Sequence, residues 1–139
     1  MYRALRTVLG DHVEQRGSNI TEERTRFDFN HPQKMTDDEK AAVEKIVNDV
    51  ISGSFPVNWE EMPTEEALKS GARGHFGEKY GETSKVYIIG PKDDPFSMEL
   101  CGGPHVKNTA EMGEGGKRFR IIKEQSSSAG IRRIKATLS

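Results

Sequence analysis

The stretch Arg24-Thr25-Arg26-Phe27-Asp28-Phe29-Asn30 decides the first element of the fold, because apolar and polar residues alternate along it. Phe27 and Phe29 point to one side of an extended chain, and the charged residues beside them point to the other. The pattern predicts a half-buried strand with a polar outer face. The pair Gly17-Ser18 ahead of it favours a bend, and hence a hairpin or a bulge.

Helical patterns dominate the rest of the first half. Thr36 and Glu39 form a capping box, and the apolar stripe after them predicts a helix that ends at Gly53. Apolar residues also recur at helical spacing over residues 2–9, which predicts a helix at the start of the chain. Thr64 can cap a third, shorter helix.

The second half carries four predicted strands separated by turns that contain glycine or proline. They are Lys85–Ile89, Ser97–Cys101, Arg118–Lys123 and Ile131–Thr137. Helices followed by strands predict an α+β fold, in which an antiparallel or mixed sheet packs against two to three helices. Residues 1–139 fit one domain of ordinary size.

The composition indicates a polar globular protein that does not span a membrane. Hydrophobic residues make up 33% of the chain and charged residues 31%, so we expect a single modest core. No apolar run approaches the ~20 residues that span a bilayer, and no signal-peptide pattern follows Met1. The single cysteine, Cys101, cannot form an internal disulfide, which favours a reducing compartment. We therefore expect a cytoplasmic protein with no membrane partner.

The charges are unevenly distributed, although the net charge is only −1. Between Thr36 and Glu66 there are nine acidic residues and two basic ones. Between Lys117 and Lys135 there are seven basic residues and one acidic residue. A basic face beside an acidic one permits a polyanion to dock on one side. Ordinary surface solvation is the alternative explanation.

The sharpest local motif is Glu99-Leu100-Cys101-Gly102-Gly103-Pro104-His105. Strand alternation puts Glu99 and Cys101 on one face, and the turn after them can bring His105 back beside the thiol. A thiolate and an imidazole are a typical half-site for zinc, but a tightly held zinc needs three or four protein ligands. The alternatives are a small buried cysteine near a surface histidine, and a cysteine nucleophile with His105 as its base.

Glycines also cluster at Gly113-Glu114-Gly115-Gly116-Lys117, but this stretch does not match a phosphate-binding loop. Glu111 stands where such a loop needs glycine, and Arg118 stands where it needs Ser or Thr. The stretch therefore predicts a hairpin turn.

Three polar residues lie on or near the predicted hairpin: Gln15, Arg26 and Asp28. On the open face of a half-buried sheet, such groups can hold a small polar substrate by hydrogen bonds. A solvent-facing role is the commoner alternative for these residue types.

Taken together, these segments resemble the editing domain of alanyl-tRNA synthetase over nearly the whole chain. The resemblance rests on several blocks that follow in order and at similar spacing. They are Ala4–Val13, Gln15–Ser18, Arg26–Phe29, Phe76–Gly81, Glu99–His105 and Gly130–Ile134. One departure is Pro104, where the alanyl family usually has threonine. The form Cys-x-Gly-Pro-His-Val is more similar to the related editing domain of threonyl-tRNA synthetase.

The resemblance implies a hydrolase that cleaves the ester of alanine tRNA mischarged with serine or glycine. The residues that we expect to be catalytic are Gln15, Cys101 and His105, where Gln15 hydrogen-bonds the hydroxyl that distinguishes serine from alanine. The residues that we expect to bind substrate are Arg26, Asp28 and Gly103. The residues that we expect to meet the acceptor-stem phosphates are Lys117, Arg118, Arg132 and Arg133.

Zinc is the cofactor that the resemblance implies. In the family, a His-x-x-x-His pair on the first helix joins a Cys-x-x-x-His pair to hold the metal. Cys101 and His105 match the second pair, and the first pair would lie just upstream of Tyr2. We therefore expect an editing domain over residues 1–139 that lacks its histidine-pair segment, with two of the usual four zinc ligands and low zinc occupancy. The alternative functions are a catalytically inactive tRNA-binding fragment and a free-standing editing protein that acts in trans.

Overall fold

The computed structural model describes residues 1–74, 79–103 and 105–139. The helices within this part of the chain are α1 (Tyr2–Leu9), α2 (Asp37–Ser52), α3 (Thr64–Lys69) and a 3₁₀ helix over Thr109–Gly116. The strands are β1 (Gln15–Ile20), β2 (Thr25–Asn30), β3 (Val57–Pro63), β4 (Thr83–Ile89), β5 (Ser97–Leu100), β6 (Phe119–Ser128) and β7 (Ile131–Leu138). The predicted α+β fold class is confirmed.

The strands divide between two sheets. The larger sheet has the order β1-β2-β7-β6, and the smaller has the order β3-β4-β5. All paired strands run antiparallel. The bulge expected near Gly17-Ser18 is present, because the register of β1 against β2 shifts between Gln15 and Gly17. This bulge bends β1 at the point where it leaves α1.

The main core lies between the larger sheet and the helices α1 and α2. Phe27 and Phe29 are buried on the inner face of β2, as their alternation predicted, and Ile134 of β7 lies directly opposite Phe27. Leu5 from α1 and Val43 from α2 are fully buried against them. A second, smaller core joins the other sheet to α3 through Ala67, Val86, Ile88 and Leu100.

The helix boundaries follow the predicted signals. The Thr36 hydroxyl accepts the Glu39 backbone N–H at 3.1 Å, and the Glu39 carboxylate accepts the Thr36 N–H at 2.9 Å. This capping box starts α2, and Gly53 follows its last residue. Gly10 ends α1 with φ of 125°, a backbone angle that favours glycine. No helix in the described residues is both long and apolar enough to cross a lipid bilayer.

The prediction of a hairpin turn at Gly113–Lys117 is wrong. Gly113 belongs to the 3₁₀ helix and packs so tightly against α2 that an added Cβ would lie 2.8 Å from the Cγ2 of Ile51. Because the strands on either side, β5 and β6, lie in different sheets, no hairpin can join them. The 3₁₀ helix instead carries the chain past α2 from one sheet to the other.

The side chain of Asn48 docks α2 onto β6. Its amide nitrogen donates to the carbonyl of Phe119 at 3.0 Å, and its oxygen accepts the Phe119 N–H at 2.8 Å. Both residues are buried, so water does not replace these bonds when they are lost.

We expect Asn48→Ala to lower the free energy of unfolding by roughly 2–4 kcal/mol, because it leaves two buried backbone groups of Phe119 without partners. Urea unfolding followed by circular dichroism measures the change. Asn58→Ala is the matched control, since Asn58 is exposed on β3 and should change stability by under about 0.5 kcal/mol. Equal effects of the two variants would contradict the docking role.

Candidate functional site

One face of the smaller sheet carries the residues around the Cys-Gly-Gly motif. The register places Trp59 opposite Tyr87, and Tyr87 opposite Glu99. Since side chains alternate along a strand, this row points away from the face that packs on α3. The Cys101 backbone N–H donates to the carbonyl of Lys85 at 3.1 Å, so the pairing continues past the end of β5.

The loop after β5 fixes the thiol of Cys101. The Gly103 N–H donates to the Cys101 sulfur at 3.4 Å. The side chain is half-buried and lines a cleft of about 270 Å³ together with Tyr80 and Lys85. Gly103, predicted to bind substrate, therefore contacts a residue that was predicted to be catalytic.

His105 stacks on Tyr87, with ring centroids 3.8 Å apart and an interplanar angle of 27°. Burial lowers the pKa of His105 below the ordinary value of 6.5; the nearby Glu99 carboxylate opposes this shift, and the Lys85 cation adds to it. The lowered pKa favours the neutral imidazole, the state that can accept a proton or bind a metal. The structure thus brings His105 and Cys101 to neighbouring positions along β4.

A second cleft, of about 550 Å³, separates α1 from β5. Polar side chains line it from both elements, among them Arg3 and Arg6 of α1 and Glu99 of β5. Tyr2 also lines this cleft, and its hydroxyl accepts the backbone N–H of Gln15 at 3.2 Å. Tyr2 thereby connects the predicted specificity residue Gln15 with the cleft beside Glu99.

Tyr2 is a site residue that the sequence patterns did not single out, because it fits the apolar stripe of α1. The sequence nevertheless contained a signal for this role of Tyr2. Tyr2 is only 5% exposed, and a tyrosine hydroxyl that is buried usually needs a hydrogen-bond partner. A tyrosine on the inner stripe of a helix therefore predicts a polar contact with a neighbouring element.

The predicted substrate-binding residues Arg26 and Asp28 lie on the outer face of the larger sheet and pair with Arg133. The guanidinium of Arg133 donates to both oxygens of Asp28, at 2.9 and 3.0 Å, and Arg26 lies 3.2 Å from the same carboxylate. Burial alone raises the pKa of Asp28, but the hydrogen bonds and charges of the two arginines lower it more, so it stays below 3.8. Gly17 leaves room for this carboxylate, since an added Cβ would lie 3.0 Å from it.

The neighbouring residue Arg132 points to the other side of the sheet. Its Nε donates to Glu124 at 2.9 Å, and the other oxygen of Glu124 accepts the Met35 N–H at 2.6 Å. The Glu124 side chain is 1% exposed, so this ion pair is part of the fold. Arg132 and Arg133, both predicted to bind tRNA, are thus already engaged by acids within the protein.

The other predicted tRNA-binding residues form no ion pair with the part of the chain that the structure describes. Lys117 and Arg118 are exposed just before β6. On the outer face, Lys123 of β6 lies directly opposite Lys135 of β7, and Arg120 is exposed nearby. We call these five residues the basic face. It places most of the unpaired positive charge of this region on one side of the larger sheet.

Two parts of the sequence argument lie outside the described residues. They are Pro104 and the portion Phe76–Glu78 of the Phe76–Gly81 block. Both stay predictions from sequence.

The described residues do not by themselves fit a complete zinc centre. Among them, no three or more His, Cys, Asp or Glu side chains converge closely enough to hold a metal ion. Cys101 and His105 offer two donors of the right chemistry, whereas a tightly held zinc needs three or four.

We expect the pKa of His105 to lie below 6.5, as measured from its ring signals in a nuclear magnetic resonance titration. Glu99→Gln should lower this pKa further, because the carboxylate stabilises the imidazolium. Lys85→Gln should raise it, because a nearby cation is removed. A shift of the same sign in both variants would contradict the placement of His105 between these charges.

The sequence of the chain is similar to those of known tRNA synthetases. The family described as the threonyl and alanyl tRNA synthetase second additional domain matches residues 84–135, which include β4, β5, Cys101 and His105. The alanine–tRNA ligase of Treponema denticola is 57% identical over 138 residues, which cover 99% of this chain and 22% of that protein. The alanine–tRNA ligase of Thermus thermophilus is 48% identical over 98% of this chain and 15% of that protein.

The chain spans about a fifth of the length of the curated relatives it matches. Nearly all of it aligns with them, from α1 to β7. The chain is therefore a domain of the alanyl-tRNA synthetase editing type, in which residues 84–135 match the threonyl and alanyl tRNA synthetase second additional domain.

Proposed function

We propose that this domain hydrolyses the ester bond of alanine tRNA mischarged with serine or glycine. The observation that carries the proposal is the placement of two groups along β4: His105 stacks on Tyr87, and the half-buried Cys101 pairs with Lys85 two residues earlier. Cys101 lines the smaller cleft, and Glu99 of the same strand lines the larger one, so either cleft can receive the acylated end of a tRNA. The similarity to alanine–tRNA ligases supports alanine tRNA as the partner.

Hydrolysis of an aminoacyl ester needs only modest catalysis by the protein, because the ester is already activated towards water. A neutral imidazole can accept a proton from an attacking water, and stacking on Tyr87 holds the His105 ring in one orientation. Discrimination needs a group that hydrogen-bonds the serine hydroxyl, which alanine lacks. We assign this role to the Gln15 side chain, because the Gln15 backbone N–H donates to the hydroxyl of Tyr2, a residue that lines the α1–β5 cleft.

Zinc enters the proposal only through Cys101 and His105, the two described residues that would hold it. A ring nitrogen bound to zinc cannot accept a proton, so the role given above applies to His105 without the metal. Bound zinc can orient a substrate or polarise a water. Since the described residues provide no third ligand beside them, we assign the steps above to side chains of the chain alone.

The basic face is proposed to meet the phosphates of the acceptor stem. Lys117, Arg118, Arg120, Lys123 and Lys135 present like charges on one side of the larger sheet. Because the net charge of the chain is only −1, attraction to tRNA depends on this local arrangement. We propose the cytoplasm, where tRNA is charged, as the location of the domain.

The direct test is deacylation of seryl-tRNA by a version of the chain extended before Tyr2 with a segment that carries the His-x-x-x-His pair. We expect it to hydrolyse serine from alanine tRNA and to spare alanine. His105→Ala should lower the rate by about 100-fold or more, because it removes the proton acceptor of the metal-free site and a ligand of the zinc-loaded one. Gln15→Ala should lower the rate on the seryl ester about 10- to 100-fold, as one hydrogen bond to substrate is lost.

His12→Ala is the matched control, because His12 is exposed and pairs with His31 away from Cys101. Its rate should equal that of the unchanged protein. An extended protein that leaves seryl-tRNA intact would show that the proposed activity is wrong.

A tRNA-binding module without catalysis is the second candidate function. The observation that favours it is the set of described residues around Cys101 and His105, which supplies only two metal donors. This candidate predicts salt-dependent tRNA binding by the chain without deacylation in either form. Binding and deacylation measured on the same preparation separate the two candidates.

Under both candidates, we expect Lys117→Gln combined with Arg118→Gln to weaken tRNA binding. The slope of log affinity against log salt should become shallower by about 2, because two phosphate contacts are lost. Filter binding at several salt concentrations measures the slope. Lys69→Gln on α3 is the control, since it removes an exposed cation away from the basic face. An unchanged slope in the double variant would exclude these residues from the interface.

A further inference from the structure

An exposed aromatic ring lies on the same sheet face as Cys101 and His105, and the chemistry above does not use it. Trp59 leaves 54% of its surface exposed, although tryptophan is highly buried on average. The Lys85 ammonium lies 4.2 Å from the centroid of the Trp59 ring and 5.1 Å from that of Tyr87. We call Trp59 and Lys85 the stacking platform.

The two rings of this face differ in access. Tyr87 is 6% exposed, and the His105 ring covers it at 3.8 Å. Trp59 lies directly opposite Tyr87 on the next strand, where cross-strand side chains are about 5 Å apart. Trp59 is therefore the ring that is open to a ligand, and it stands one strand away from the imidazole.

The cation of the platform is also available. Lys85 forms no ion pair with any described residue, and the aromatic rings hold its ammonium in place. The nearest acid in the register, Glu61, turns to the hydroxyl of Thr83 at 3.5 Å. A ring that is open on a sheet and a cation beside it are the two groups that bind single-stranded nucleic acid, through base stacking and phosphate contact.

We propose that Trp59 stacks on a base of the single-stranded 3′ end of tRNA, while Lys85 contacts an adjoining phosphate. The identity of the nucleic acid rests on the proposed function. A base held on Trp59 places the terminal ribose and its ester beside the neighbouring strand, where His105 lies. The platform thus positions the substrate and takes no part in bond cleavage.

The chain offers a direct probe, because Trp59 is its only tryptophan. Titration with a cytidine-cytidine-adenosine RNA trinucleotide should quench the intrinsic fluorescence and reach saturation. Ribose 5-phosphate, which has the sugar and phosphate without a base, should leave the fluorescence unchanged. RNA that binds, as followed by anisotropy of a labelled strand, without quenching Trp59 would overturn the proposal. A failure to bind RNA at all would also overturn the proposal. That result is expected if this face of the sheet contacts another protein instead.

Variants test the two contacts separately. We expect Trp59→Ala to weaken binding of the labelled trinucleotide by about ten-fold, and Trp59→Phe to weaken it less, because phenylalanine still stacks. Lys85→Gln should make the salt slope shallower by about 0.7, the value for one phosphate of a single strand. Leu68→Ala is the matched control, since Leu68 is 51% exposed on α3, behind the same sheet. Equal affinities of Trp59→Ala and Leu68→Ala would overturn the proposal.

Failure of the stacking platform can be distinguished from failure of the proposed hydrolytic function. Quenching by the trinucleotide without deacylation of seryl-tRNA leaves the platform in place and removes the hydrolytic activity. Deacylation that Trp59→Ala leaves unchanged, in both KM and kcat, removes the platform and leaves the activity. Thermal unfolding of each variant confirms that the sheet is intact.

Discussion

The fold depends on the register in which β2 pairs with β7, two strands far apart in the chain. This register sets Phe27 opposite Ile134 on the inner face and Asp28 opposite Arg133 on the outer face, residues that lie 105 positions apart. A slip by one residue would turn the phenylalanines to solvent and the carboxylate into the core. The forked hydrogen bonds between Arg133 and Asp28 oppose that slip, because they would be broken by it.

The site depends on this pairing although Cys101 and His105 lie in the other sheet. The paired strands form the surface on which α1 packs through Leu5, and α1 carries Tyr2 to Gln15 and to the cleft beside β5. The 3₁₀ helix then connects the sheets along α2. The geometry around Glu99 is therefore set partly by the contacts of the larger core. A change that loosens α1 should alter the cleft even when it touches no polar residue of the site.

Local signals predicted much of the fold, because their physical causes are local. The capping box of Thr36, the alternation at Phe27 and Phe29 and the stop at Gly10 all act within a few residues. The division into two sheets and the 3₁₀ helix at Gly113 were not predictable in this way, since they depend on which strands meet. The family resemblance supplied the residues Cys101 and His105, but no sequence pattern indicated the stacking of His105 on Tyr87 or the role of Tyr2.

The adjacent arginines show how partner strands decide what a residue type does. Arg132 and Arg133 carry the same charge in the same motif, yet alternation sends one to the buried Glu124 and the other to Asp28. Both guanidinium groups are occupied within the fold, so a basic motif in the sequence overstates the charge that remains for a phosphate. Lys85 shows the opposite case, since it stands alone in the sequence but meets no acid in the described structure. In a chain whose net charge is near zero, affinity for a polyanion follows from which cations the fold leaves unpaired, and Lys85 and the residues of the basic face are among them in the described structure.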